Sequence, residues 1–394
     1  MTEQQKENLA CRIGAVSVFR GILDTKPMSA LLDFLCCDKS TQNKMSLFGK
    51  FVYSLSDFNY SFSDFLRCSI FADENKYVTS AAQKAEISSS LYQNTNEELK
   101  LFSYLTTLTS AELCEDISYG GYVPCFENNA IDFIKVYGER VKNINRYGYG
   151  IFATANMFTV EDENIIPVKS ADGISTESFI GYENERKQVF DNTQALIDGK
   201  PAANVLLFGD AGTGKSSTVK ACANHFASEG VRLIEIRKDQ LFSLPHIMGK
   251  IADNPLKFII FIDDLSFNKN DDCFSMLKAA LEGSASAKSK NAVIYATSNR
   301  RHIVKENFSD RTNENDIHHS DTVQELMSLS DRFGLTVYFE RPNKMLYLDI
   351  IHKLADKNGI MIDRAELDVK AEAFALNKGT RSPRAAEQFI NSLI

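Results

Sequence analysis

No stretch of this chain stays apolar over the ~18 residues that a membrane helix needs. The longest candidate, 258–262, has the length of a buried strand. The amino terminus reads Met-Thr-Glu-Gln-Gln-Lys-Glu-Asn, with no basic segment followed by an apolar run, so no secretory signal is expected. None of the eight cysteines (Cys11, Cys36, Cys37, Cys68, Cys114, Cys125, Cys222 and Cys273) forms a Cys-x-x-Cys pair, which argues against the common zinc and thiol–disulfide motifs. There is no internal repeat, no long low-complexity tract and no pore-loop signature of a threading machine. These absences point to a cytoplasmic protein with no membrane partner, whose thiols behave as small hydrophobes. The formal net charge of −8 argues against a broad, sequence-independent nucleic-acid footprint, though not against a local basic patch.

What is present divides the chain. Its 394 residues allow two or three domains at ~100–200 residues each. Residues 1–150 carry helical periodicity and no nucleotide motif. Leu47, Phe48, Phe51, Val52 and Leu55 recur at helical spacing, as do Leu101, Leu105 and Leu108. Ile131, Ile134, Val141 and Ile144 suggest a further helix. Phe58, Tyr60, Phe62, Phe65 and Phe71 suit core packing better than a recognition surface. Residues 151–178 mix polar residues with Pro167 and Gly173 and read as a linker. In residues 179–340, five short apolar runs at 205–208, 233–236, 258–262, 292–296 and 335–339 alternate with helical stretches. That pattern predicts an α/β fold with a five-stranded parallel sheet covered on both faces. Residues 341–394 read as three helices, a small lid.

The strongest signal is Gly209, Asp210, Ala211, Gly212, Thr213, Gly214, Lys215 and Ser216, a full G-x-x-x-x-G-K-[ST] phosphate loop between a strand and a helix. Glycines let successive backbone N–H groups converge on phosphates, and the helix that follows, through Ser217, aims its positive end at the same place. Lys215 is expected to reach the β- and γ-phosphates, and Ser216 to offer its hydroxyl to Mg²⁺. The run 258–262 ends in Asp263 and Asp264. Parallel sheets bind ligands at the carboxyl ends of their strands, so Asp263 is expected to hold Mg²⁺ and Asp264 to polarise an attacking water.

Three further elements follow in order. Val293-Ile-Tyr-Ala-Thr-Ser-Asn299 is a strand ending in an amide. Ser328-Leu-Ser-Asp-Arg332-Phe-Gly puts an arginine before the last strand. Gly379-Thr-Arg381-Ser-Pro-Arg384 opens the final helix, with Ser382 a good N-cap and Pro383 a good first residue. Arg384 then sits in a first turn, where the helix dipole disfavours a cation unless a phosphate is bound. Arg300, Arg301 and His302 form a small basic cluster.

This order resembles the AAA+ superfamily of P-loop ATPases from about residue 179 to the end. Within it, the wording around Gly212–Ser217, Phe261–Phe267, Ala296–His302 and Ser328–Gly334 is closest to domain-of-unknown-function family 815. The Asp-Asp ending also resembles helicase loaders, and the Ser-Asp-Arg-Phe-Gly segment resembles branch-migration proteins. The resemblance implies a P-loop NTPase core with a helical lid, and ATP with Mg²⁺ in the site. It puts the segment Phe179, Ile180, Gly181 and Tyr182 beside adenine, Asn299 on the attacking water and Arg384 as a reporter of phosphate loss. It makes Arg332 a finger acting in trans, hence a homo-oligomer that hydrolyses ATP to ADP and phosphate to remodel or load an unidentified protein or nucleoprotein partner. Many motor ATPases carry Glu where Asp264 stands, so a slowly hydrolysing, ATP-gated adaptor or loader is the alternative.

Overall fold

The protein's structure, a computed structural model, describes residues 1–38, 40–168, 180–265, 276–278, 280–281, 290–299 and 332–394. The chain divides into two compact units, Met1–Thr154 and Ala155–Ile394.

The first unit is helical. Its principal helices are α1 (Glu3–Gly14), α2 (Arg20–Leu23), α3 (Lys26–Leu35), α4 (Thr41–Ser54), α5 (Phe62–Ala72), α6 (Lys76–Ala82), α7 (Ser89–Leu105), α8 (Ser110–Leu113), α9 (Phe133–Lys142) and α10 (Ile144–Tyr147). Phe48, Phe51 and Val52 of α4 are buried as their spacing requires, and Leu55 follows them into the core. Phe62 and Phe65 are buried too, and Phe51 packs edge-on against Phe62 at 5.3 Å, the geometry that ring quadrupoles favour. Tyr60, by contrast, is exposed. The helix expected near residue 134 turns a different face inward. Phe133 and Tyr137 are buried while Ile134 is exposed, because the larger aromatic pair at i, i+4 takes the core.

The second unit is a mixed α/β sheet of seven strands in the order β2-β1-β4-β5-β6-β3-β7. The five expected strands are there as β3 (Val205–Gly209), β4 (Val231–Glu235), β5 (Lys257–Ile262), β6 (Ala292–Ser298) and β7 (Leu335–Phe339), and each pairs in parallel with its neighbours. The expectation of five strands is too low, and residues 151–178 are not simply a linker. β1 (Met157–Glu161) and β2 (Asn164–Pro167) form an antiparallel hairpin that extends the sheet, with β1 parallel to β4. Its turn runs through Asp162 and Glu163, at φ 45° and 62°. Two left-handed residues suit a tight hairpin turn, but here neither is glycine.

Strands β4, β5 and β6 are buried along nearly their whole length, as strands covered on both faces must be. Helices α11 (Glu183–Ile197) and α12 (Lys215–His225) contribute Val189, Leu196, Val219 and Cys222 to the cluster over one face, and α13 (Leu244–Ile251) follows β4. Tyr295 of β6 is fully buried yet satisfied. Its hydroxyl meets Thr193 at 2.7 Å and accepts from Asn192 at 3.0 Å, which pins α11 to the sheet centre. The chain ends in three lid helices, Lys344–Lys357, Arg364–Lys378 and Pro383–Asn391, around Tyr347, Ile351, Ala371 and Phe389. The fold class is that expected, an α/β sheet with a phosphate loop and a helical lid. Among the described residues no helix is long and apolar enough to cross a membrane.

Candidate functional site

Parallel pairing brings the carboxyl ends of β3, β5 and β6 to one edge, where Gly209, Asp263 and Asn299 emerge side by side. Gly209 has φ 137°, and a Cβ there would stand 2.1 Å from the Phe339 carbonyl oxygen, so only glycine lets β3 leave the sheet beside β7. The loop closes on Gly214, at φ 90°, the N-cap of α12. Thr213 donates to the Asp210 carbonyl at 2.9 Å, and no side chain among the described residues caps the first N–H groups of α12, which suit an anion.

Lys215 is 6% exposed, and all three of its ammonium donors are engaged. They reach the Gly209 carbonyl at 3.0 Å, the Asp210 carbonyl at 2.7 Å and Asn299 Oδ1 at 3.0 Å. Burial holds its pKa below the usual lysine value, against the opposing pull of Asp210, Asp263 and Asp264. Asn299 Nδ2 in turn donates to Asp264 Oδ1 at 2.9 Å. One amide thus bridges the loop lysine and the second carboxylate. Ser216 Oγ donates to Asp263 Oδ1 at 2.6 Å.

Lys215, Ser216, Asp263, Asp264, Asn299 and Arg384 line one cleft, together with Ala211, Gly212, Gly214 and Ser217. A second cleft, with a cavity volume of about 100 Å³, lies on the other side of the loop, between sheet and lid. Its lining includes Ile180, Tyr182, Arg186, Thr213, Phe339, Ile350, Leu354 and Glu387. Apolar side chains and polar groups share that lining about equally. Gly181, at φ +80°, admits the lid closely: a Cβ there would stand 3.3 Å from Leu346. Gly212, Gly214, Ser217 and Arg384 belong to both clefts, so the loop is the wall between them.

The lid touches the loop directly. Ser382 caps the last helix by accepting from Ala385 N–H at 3.2 Å, Pro383 opens it, and Arg384 N–H donates to the Gly212 carbonyl at 3.3 Å. Arg384 is exposed in that first turn, as the sequence implied.

The oxygen donors fit Mg²⁺. A hydroxyl and a carboxylate oxygen meet at the mouth of the phosphate loop, and Mg²⁺ takes one or two protein oxygens plus phosphate and water. Among the described residues no group of three or more His, Cys, Asp or Glu forms an all-protein metal cage.

Arg332 is half-buried in the turn before β7 and lines neither cleft among the described residues. Phe179, Ser328 and the two residues after it, Asp331, the cluster Arg300, Arg301 and His302, and Cys273 lie outside the described residues. The seven described cysteines are free thiols.

Residues 153–394, more than half of the chain, match the family model described as "Protein of unknown function (DUF815)". The chain belongs to the DUF815 family. No curated protein sequence matches it. Among solved structures, the chain is similar to the Thermotoga maritima RuvB Holliday junction branch migration motor. Identity there is 14%, over 57% of this chain and 73% of that one, with a TM-score of 0.35. It is also similar to AMPPCP-bound DnaA from Aquifex aeolicus, at 16% identity over 56% of this chain and 64% of that one, with a TM-score of 0.38.

Sequence reasoning named Tyr182 only as part of a segment and missed two members of the site, Arg186 and Thr297. Tyr182 anchors the start of α11 by donating to the Glu340 carbonyl at 2.6 Å, and burial raises its pKa so that it stays a donor. Arg186 brings a half-buried guanidinium to the second cleft. Thr297 binds both carboxylate residues. Of the two missed, only Thr297 had a legible signal, since it precedes Asn299 by two on a strand and so shares its face.

Proposed function

We propose that this DUF815 chain is an ATP-hydrolysing AAA+ ATPase. The observation that carries the reading is the meeting of Lys215, Ser216, Asp263, Asp264 and Asn299 at one strand edge, with the phosphate loop beneath and Arg384 of the lid above. The adenosine sits in the sheet–lid cleft between Tyr182, Phe339, Ile350 and Leu354, beside Ile180 and Gly181. The phosphates follow the N–H groups of the loop, where the α12 dipole favours anions. Lys215 exchanges a carbonyl or the Asn299 amide for a phosphate oxygen. Ser216 and Asp263 hold Mg²⁺, which when bound neutralises charge developing on the β- and γ-oxygens.

Once a phosphate takes Lys215, Asn299 is free to orient water, and Asp264 is placed to polarise it. The water oxygen bonds to the γ-phosphorus while the bond to the β–γ bridging oxygen breaks, giving ADP and phosphate. Arg332 acts on the nucleotide of an adjacent copy, so the working form is a homo-oligomer. Loss of phosphate is felt by Arg384 and moves the lid through its link to Gly212. The work is done on a protein or nucleoprotein partner, with the helical unit Met1–Thr154 choosing it.

The test is ATP turnover per subunit against protein concentration for wild type, Lys215→Ala and Arg332→Ala. Turnover that rises with concentration, vanishes in Lys215→Ala and nearly vanishes in Arg332→Ala despite retained binding supports the shared-site ATPase. A second reading, a slow ATP-gated adaptor or loader, draws on one observation. Asp264 is a methylene shorter than Glu, and its Oδ1 is already taken by Asn299. Binding without turnover at any concentration selects that reading.

A further inference from the structure

Thr297 is 2% exposed, and both capacities of its hydroxyl are used. It donates to Asp263 Oδ1 and accepts the Asp264 N–H at 2.9 Å. Its carbonyl accepts the Leu265 N–H at 2.7 Å. One residue of β6 therefore ties down three successive residues of the turn that leaves β5. The turn needs tying. Asp264 has φ +49°, a left-handed conformation that a non-glycine residue keeps only when its surroundings impose it.

The same hydroxyl decides how Asp263 is presented. Its Oδ1 is held by Ser216 Oγ at 2.6 Å, by the Asp264 N–H at 3.1 Å and by Thr297. Oδ2 has no hydrogen bond among the described residues, which leaves it for a cation or a cation-bound water. We infer that Thr297 is a positioning residue of the nucleotide site: it selects the Asp263 oxygen offered to Mg²⁺ and holds the turn that brings Asp264 to Asn299. This rests on the ATPase reading, and it acts as outer-shell partners of metal ligands do, by fixing a donor it does not replace.

Two substitutions separate positioning from packing. Thr297→Val keeps the branched shape and loses both hydroxyl bonds. Thr297→Ser keeps the hydroxyl and loses the methyl. In the full chain, binding of a fluorescent ATP analogue is measured with Mg²⁺ and with EDTA, alongside turnover and the thermal midpoint. The expected result for Thr297→Val is an about tenfold or greater loss of both the Mg²⁺-dependent gain in affinity and kcat. Its affinity in EDTA should change less than about threefold, the scatter of a bond that phosphate does not use. Thr297→Ser should stay within about threefold of wild type on every readout, since serine has the same donor and acceptor.

An unchanged Mg²⁺ gain in Thr297→Val overturns the assignment. So does a Thr297→Ser variant that loses it, which would assign the residue to packing. Should the valine variant fail to fold, the serine arm still decides. A wild type that binds no nucleotide overturns the ATPase reading itself, and the role of Thr297 with it.

Discussion

Three lysines are buried among the described residues, two in the helical unit and one in the sheet unit, and they are treated differently. Lys6 meets Asp116, and Lys44 meets Glu3 at 2.7 Å and Asp116 at 3.8 Å. The Glu3 hydrogen bond raises the Lys44 pKa. Lys215 has no carboxylate within ion-pair distance among the described residues; its donors face two carbonyls and an amide, and burial lowers its pKa. Carboxylates divide by how many of their oxygens are hydrogen-bonded. Glu98 of the helical unit accepts from Ser17, Val18 and Phe19 N–H groups with both oxygens, whereas Asp263 Oδ2 has no hydrogen bond among the described residues. A buried charge matched by its opposite has finished its work when the chain folds. Lys215, whose hydrogen bonds go only to neutral groups, still favours an incoming anion.

The comparison breaks most sharply by exchanging the lysines' fates. Lys215→Ala should abolish nucleotide turnover, a loss of roughly 100-fold or more, without lowering the unfolding free energy. Lys6→Ala should leave nucleotide affinity unchanged and cost about 3 kcal/mol in urea unfolding, because it leaves the Asp116 carboxylate with only Lys44, at 3.8 Å. If Lys215→Ala destabilises as much as Lys6→Ala, the distinction fails.

Asn299→Ala should cut turnover by roughly 100-fold, as loss of a preorganised donor does. It should hold or raise ATP affinity, since it frees one Lys215 donor before phosphate arrives. A parallel loss of affinity, read by titration calorimetry, would make the amide a ligand contact instead of a placeholder.

The smallest effect lies in alkaline solution. Lys44 is raised, so the stability it contributes is full below its unfolded pKa of 10.5 and is lost as pH climbs through the higher folded value. Lys215 is lowered, so between its folded pKa and 10.5 the unfolded chain holds a proton the native chain has shed, and stability rises with pH there. Phosphate should reverse that shift. ATP binding just below pH 10.5 should then take up a fraction of a proton, detectable as a buffer-dependent heat and absent in Lys215→Ala.

Much of the fold was legible because its signals are local. The five parallel strands stand within two residues of the apolar runs that announced them. The phosphate loop was legible as well, since Gly209, Gly214 and Lys215 each answer a steric or charge requirement within a few residues. The β1–β2 hairpin was not. Asp162 and Glu163 adopt left-handed conformations without the glycine or asparagine that usually announces such a turn, and β1 is held by β4, some seventy residues away. The face of α9 was misjudged for a related reason, because periodicity alone does not rank Phe133 and Tyr137 over Ile134.

The sequence by itself therefore determined the parts of the proposed nucleotide site: a glycine loop between strand and helix, its lysine and a strand ending in two carboxylates. Only the tertiary structure decided how those groups are held: Lys215 on Asn299, Asn299 on Asp264, Thr297 across both aspartates and the lid on Gly212. Each of those bonds joins residues more than thirty positions apart, apart from the turn they brace. Such contacts depend on strand register and helix docking, which no local pattern encodes.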